Sequence, residues 1–120
     1  MQVELPKGRK TWPVTVDIMG TTDQVMHLTK HYRDGIEDIE FGKGHWAWLG
    51  LALGLVAING SRYEDGPLGT KLDELRPRVI RNVTPNTVQI IDRWGDWITI
   101  TDQQAFALKG RIAQLLQEPL

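Results

Sequence analysis

The sequence contains no cysteine. Disulfides, thiolate metal sites and cysteine nucleophiles are therefore excluded. Small secreted domains are commonly stapled by disulfides, so this absence favours the cytoplasm. Serine is almost as scarce: Ser61 is the only one, with no histidine near it in sequence to activate it. There is no Gly-rich phosphate loop, no Gly-x-Ser-x-Gly elbow, no dinucleotide fingerprint and no His-Glu-x-x-His zinc motif. Long apolar runs are also missing. The uncharged stretch Trp46–Ile58 covers about 13 residues, short of the ~20 a membrane-spanning helix needs. No apolar run follows Met1 that could act as an export signal. The net charge is only −1. No global field then draws the chain to DNA or to anionic lipid, although a local patch could still do so.

What is present suits one folded domain. The chain has 120 residues, of which 41% are hydrophobic and 24% charged. A domain of that size buries roughly two thirds of its unfolded surface and needs no metal or disulfide to hold it. Residues 1–11 are polar and read as a flexible arm, leaving 12–120 as a single domain.

Periodicity predicts the elements. Val14, Val16 and Ile18 alternate with Thr15 and Asp17, a half-buried strand that Gly20 ends. Thr21-Thr22-Asp23 then resembles a helix start. Val25, Leu28, Tyr32, Ile36 and Ile39 recur at helical spacing, predicting a helix to about Glu40. A second, centrally buried helix is expected from His45 to Ile58, stopped by Asn59-Gly60. Residues 61–70 read as a loop, and 70–75 as a helical turn. Three strands follow, Arg78–Val83, Val88–Asp92 and Trp97–Thr101, joined by turns at 84–87 and 92–95. Thr101 and Gln104 form a capping box for a last amphipathic helix. The expected fold is α+β in the order β-α-α-β-β-β-α, with the N-terminal strand and the meander in a small antiparallel sheet and helices on one face.

Five groups of residues are candidates for function. If residues 23–40 are helical, Asp23, His27, His31, Asp34 and Asp38 fall within about 80° of one another. His27 and His31 could then share one divalent metal ion, with a solvated polar face as the simpler reading. Asp34, Glu37, Asp38 and Glu40 make an acidic run able to dock on a basic partner. Arg93 and Trp94 sit at the predicted tip of a hairpin, and these residue types are enriched in binding hot spots. Gly50 and Gly54, with Ala47 and Ala57, open a smooth helix face, either for packing within the subunit or for a homodimer seam. Lys7, Arg9 and Lys10, with Arg76, Arg78 and Arg81, form a basic set for nucleic acid, without the usual aromatic interleaving.

These features favour a non-enzymatic module that binds another protein. Arg93, Trp94, Asp34, Glu37 and Asp38 would be its contact residues, and its type that of an adaptor or inhibitor such as phages and plasmids encode. The alternatives are a metal-dependent site on His27 and His31, and a nucleic-acid binder.

Overall fold

The computed structural model describes residues 2–58 and 77–117. The fold is α+β: a four-stranded antiparallel sheet, a three-stranded antiparallel sheet and two helices. The first sheet takes the order β1 (Gln2–Glu4), β2 (Val14–Met19), β3 (Val25–Tyr32), β4 (Gly35–Gly42). A 3₁₀ turn, Lys43–His45, leads into α1 (Trp46–Leu53), which continues as a π-helical turn, Gly54–Ile58. The second sheet is the meander β5 (Arg78–Arg81), β6 (Thr87–Ile91), β7 (Trp97–Thr101), and α2 (Asp102–Gln117) closes the described chain. The helix stop at Asn59-Gly60, the loop at 61–70 and the turn at 70–75 lie outside the described residues.

The C-terminal half follows the sequence expectation closely. Strands and helix fall within a few residues of the predicted spans. The capping box forms as drawn: Gln104 N donates to Thr101 Oγ1, and Thr101 N donates to Gln104 Oε1, both at 3.1 Å. The turn after β6 is closed by Gly95 N donating to Asp92 O at 3.1 Å, with Gly95 at φ 87, a value that glycine adopts without strain.

The first half differs in one major respect. Residues 25–42 form a hairpin, not a helix. Both periods run through this segment, and burial decides between them. Ile36, which a helical stripe would place inside, is 63% exposed, while Met26 and Phe41, outside that stripe, are buried. As strands, Met26 and Leu28 stand opposite Phe41 and Ile39, and all four enter the core. Each contributes roughly 1.5–3 kcal/mol by leaving water. Tyr32 pairs with Gly35, so Arg33 and Asp34 make a two-residue turn. The Asp-Gly dipeptide and the β-branched Val25, Thr29, Ile36 and Ile39 are the local signals for this outcome.

The expected arm is also structured. Gln2–Glu4 pairs antiparallel with β2, and Leu5 is buried, its N–H bonded to Val14 O at 2.8 Å. The N-terminal strands therefore make a sheet of their own instead of joining the meander. One hydrophobic core unites both sheets and both helices, with Leu28 and Ile39 from the first sheet, Val79, Ile90 and Ile98 from the second, and Trp46, Leu49 and Leu108 from the helices.

Candidate protein-binding surface at the hairpin tip

The β6–β7 hairpin leans against β4, and one side chain fixes it there. Asp92 is buried, and its carboxylate accepts three backbone N–H groups: Trp94 at 2.9 Å, Asp96 at 3.1 Å and Glu40 at 3.2 Å. The first two shape the turn, and the third ties the turn to β4. Burial raises the Asp92 carboxyl above its usual range, and the three N–H groups oppose that shift.

The tip itself stays open. Trp94 is 57% exposed. Its indole N–H donates to Glu40 Oε1 at 3.0 Å, and the Arg93 guanidinium lies 4.8 Å from its ring centroid. Beside it, a cleft of about 320 Å³ is lined by Glu37, Asp38, Gly95, Asp96 and Trp97. Trp97, the wall of that cleft, is also exposed. Tyr32 donates its hydroxyl hydrogen to Glu37, and burial first, then this bond, pushes the phenol up to about 12. Three acidic residues and a tryptophan thus line the cleft.

The two surfaces that look separate in sequence are therefore one. Trp94 meets the acidic strand at Glu40, close to Glu37 and Asp38, and Arg93 lies over the Trp94 ring. Asp34 stands apart, exposed in the turn before β4. Glu40 belongs to the acidic run legible in the sequence, whereas the anchoring role of Asp92 is not, because Asp92 reads there only as the first residue of a turn.

His27 and His31 lie on β3, not on a helix. Four residues along a strand separate two side chains by about 13 Å, too far for both to ligate one ion. His27 Nδ1 is hydrogen-bonded to Asp38 Oδ2 at 3.0 Å, and His31 Nε2 to Thr15 Oγ1 at 2.9 Å. Asp38 Oδ1 also accepts the Thr29 hydroxyl at 2.8 Å. Among the described residues, no group of three His, Cys, Asp or Glu side chains is placed to hold a metal. Asp23 falls in the loop between β2 and β3.

Gly50 and Gly54 face α2 of the same chain. A Cβ at Gly50 would lie 3.5 Å from Ile112, and one at Gly54 would lie 3.2 Å from Lys109. Lys109 Nζ donates to Gly50 O at 3.3 Å. The smooth helix face thus packs against α2 within the subunit. The basic set divides likewise. Arg81 is spent on Asp102 Oδ1 at 2.7 Å and on Val56 O. Arg78 begins β5 with its Nε shielded from solvent. Arg76 and Ser61 lie outside the described residues. Lys7, Arg9 and Lys10 are exposed in the loop between β1 and β2. Among the described residues, no helix is long and apolar enough to cross a membrane.

No protein-family model matches the chain, and no curated protein is significantly similar to it.

Proposed function

We propose that this domain is a non-enzymatic binding module, of adaptor or inhibitor type, that recognises a basic segment of another protein. The observation that carries this reading is the Trp94–Glu40 hydrogen bond, which joins an exposed aromatic anchor to an acidic strand beside an open cleft. Aromatic and arginine side chains supply most of the energy of protein interfaces. Carboxylates around them select cationic partners and speed encounter. A lysine or arginine of the partner would lay its aliphatic stem on Trp97 and its charge among Glu37, Asp38 and Asp96. The cysteine-free chain suits a reducing compartment, and the cytoplasm is its proposed site of action.

The experiment is affinity capture from lysate with the wild type and a Trp94→Ala/Arg93→Ala variant side by side. The captured proteins are then titrated with each form in purified state. Loss of binding in the variant, with its circular dichroism unchanged, supports the reading. Equal binding by both forms to every captured protein would sink it.

A further inference from the structure

A second surface has the opposite charge. The loop between β1 and β2 lines an open groove of about 390 Å³ with Lys7, Arg9, Lys10 and Trp12. A smaller cavity of about 170 Å³ adjoins it, sharing Lys10, Thr11 and Trp12 and adding Lys30 and Thr99 from the two sheets. Among the described residues, no carboxylate lines either one. Cations are thus gathered on this wall.

Ammonium, hydroxyl and amide side chains line the smaller cavity. Lys30 Nζ is fixed by Thr99 O at 2.8 Å and Thr99 Oγ1 at 3.0 Å. The ammonium also lies 5.5 Å from the Tyr32 ring centroid. No described carboxylate is in ion-pair range of it. Gln104, only 1% exposed, lines the same cavity. Its Oε1 is taken by the helix cap, while its buried Nε2 has no acceptor among the described residues. Burial holds the Lys30 ammonium below its ordinary value of 10.5, with Glu37 only partly offsetting this. An anion beside Lys30 would restore what that ammonium loses by leaving water.

An aromatic plane completes the site. Trp12 is 46% exposed and rests edge-on against Tyr32, with ring centroids 5.6 Å apart. The side chain is thereby supported while nearly half of the residue's surface stays accessible. A basic groove beside an open tryptophan is the arrangement that binds a phosphate and stacks its base.

We propose that Lys10, Lys30 and Trp12 form a binding site for a nucleoside phosphate, the phosphate in the Lys10–Lys30 cavity and the base on Trp12. The chemistry is shared by a free nucleotide and by the nucleotides of a single strand. The site is separate from the hairpin tip and does not depend on the protein-binding reading.

The test is calorimetric titration of the full chain with AMP, adenosine, inorganic phosphate and a thymidine dodecamer. A nucleoside phosphate should bind at least tenfold more tightly than either adenosine or phosphate alone, since both halves of the site then act. Trp12→Ala should weaken AMP by about tenfold or more and leave phosphate nearly unchanged. Lys10→Glu, an exposed loop change that leaves the Lys30–Thr99 bonds intact, should weaken both. An affinity for the dodecamer well above that for AMP, falling steeply with salt, assigns the site to a strand. Equal affinities assign it to free nucleotide. No binding by AMP or the dodecamer, AMP no tighter than phosphate, or binding unchanged in both variants overturns the proposal.

Discussion

The carboxylate of Asp92 accepts the backbone N–H of Glu40 at 3.2 Å, across 52 positions of sequence. That bond satisfies an outward-facing donor of an edge strand and locks the meander onto the first sheet. Edge strands carry rows of unpaired backbone groups that invite other chains. Here a buried side chain covers one of them and orients the tip that carries Trp94.

Removing the Asp92 carboxylate should therefore loosen both turn and interface. Asp92→Ala leaves three N–H groups without their acceptor and is expected to cost about 2–4 kcal/mol, because bonds to a charged acceptor are each worth ~1.5–3 kcal/mol and two of the donors regain water. Urea unfolding measures this directly. The tryptophan fluorescence lost in a Trp94→Phe variant should also shift, since the Trp94 ring loses the turn that holds it.

The pH dependence of Asp92 has a definite sign. Its native carboxyl lies above the ordinary 3.8, chiefly because burial disfavours the charge. The native state thus holds the proton more tightly than the unfolded chain. The stability from this linkage is fully present in acid and is lost as pH rises through the native value. Relative to Asp92→Asn, the wild type should gain stability as pH falls. Paired urea curves across the acid range, from about pH 3 to 7, test this. A wild-type advantage that grows toward neutrality would contradict it.

Tyr32 should titrate late. Burial and its bond to Glu37 raise its phenol to about 12. A proton held more tightly in the folded chain stabilises it fully below the ordinary value of 10.0, and this contribution is lost between there and about 12. Ultraviolet titration of a Tyr63→Phe variant, which leaves Tyr32 as the only tyrosine, reads the value. Glu37→Gln should bring it down by removing the neighbouring negative charge.

Gly50 has room for a methyl group but not for a large side chain. A Cβ there meets Ile112 at 3.5 Å, an ordinary contact. Gly50→Ala should raise stability by about 0.5–1 kcal/mol through helix propensity. Gly50→Leu should destabilise by about 1–3 kcal/mol by forcing α1 away from α2. Thermal unfolding separates the two, and equal stability of both variants would refute the packing described for this helix pair.

The fold was most legible where local signals and burial agree. The alternation Trp97–Thr101 and the Thr101–Gln104 cap specify strand and helix with little competition. Residues 25–42 carry two periods at once. Val25, Leu28, Tyr32, Ile36 and Ile39 make a helical stripe, while Met26, Leu28, Ile39 and Phe41 make a strand face. Burial in the folded sheet, where β3 pairs with both β2 and β4, resolves the choice. The binding surface was legible in its pieces and not in its assembly. Trp94 and the acidic run announce themselves by type, but the bond from Trp94 to Glu40 needs the tertiary fold. The His27–His31 pairing is lost for the same reason, since a strand separates what a helix would bring together.

Charge and anchor at the hairpin tip should act on different steps of binding. Asp96 lines the cleft, while its backbone N–H, not its side chain, holds the turn. Its charge also opposes that of Asp92. Asp96→Lys should therefore leave the fold intact, or stabilise it slightly, while reversing the field that draws a cationic partner. Surface plasmon resonance with a captured partner should show a slower association and a weaker dependence on salt. Trp94→Ala removes contact area instead. It should cost at least ~2 kcal/mol, about thirtyfold, mainly in the dissociation rate. If Asp96→Lys left association unchanged at low salt, the partner would not be recognised by its positive charge, even if Trp94 remained its anchor.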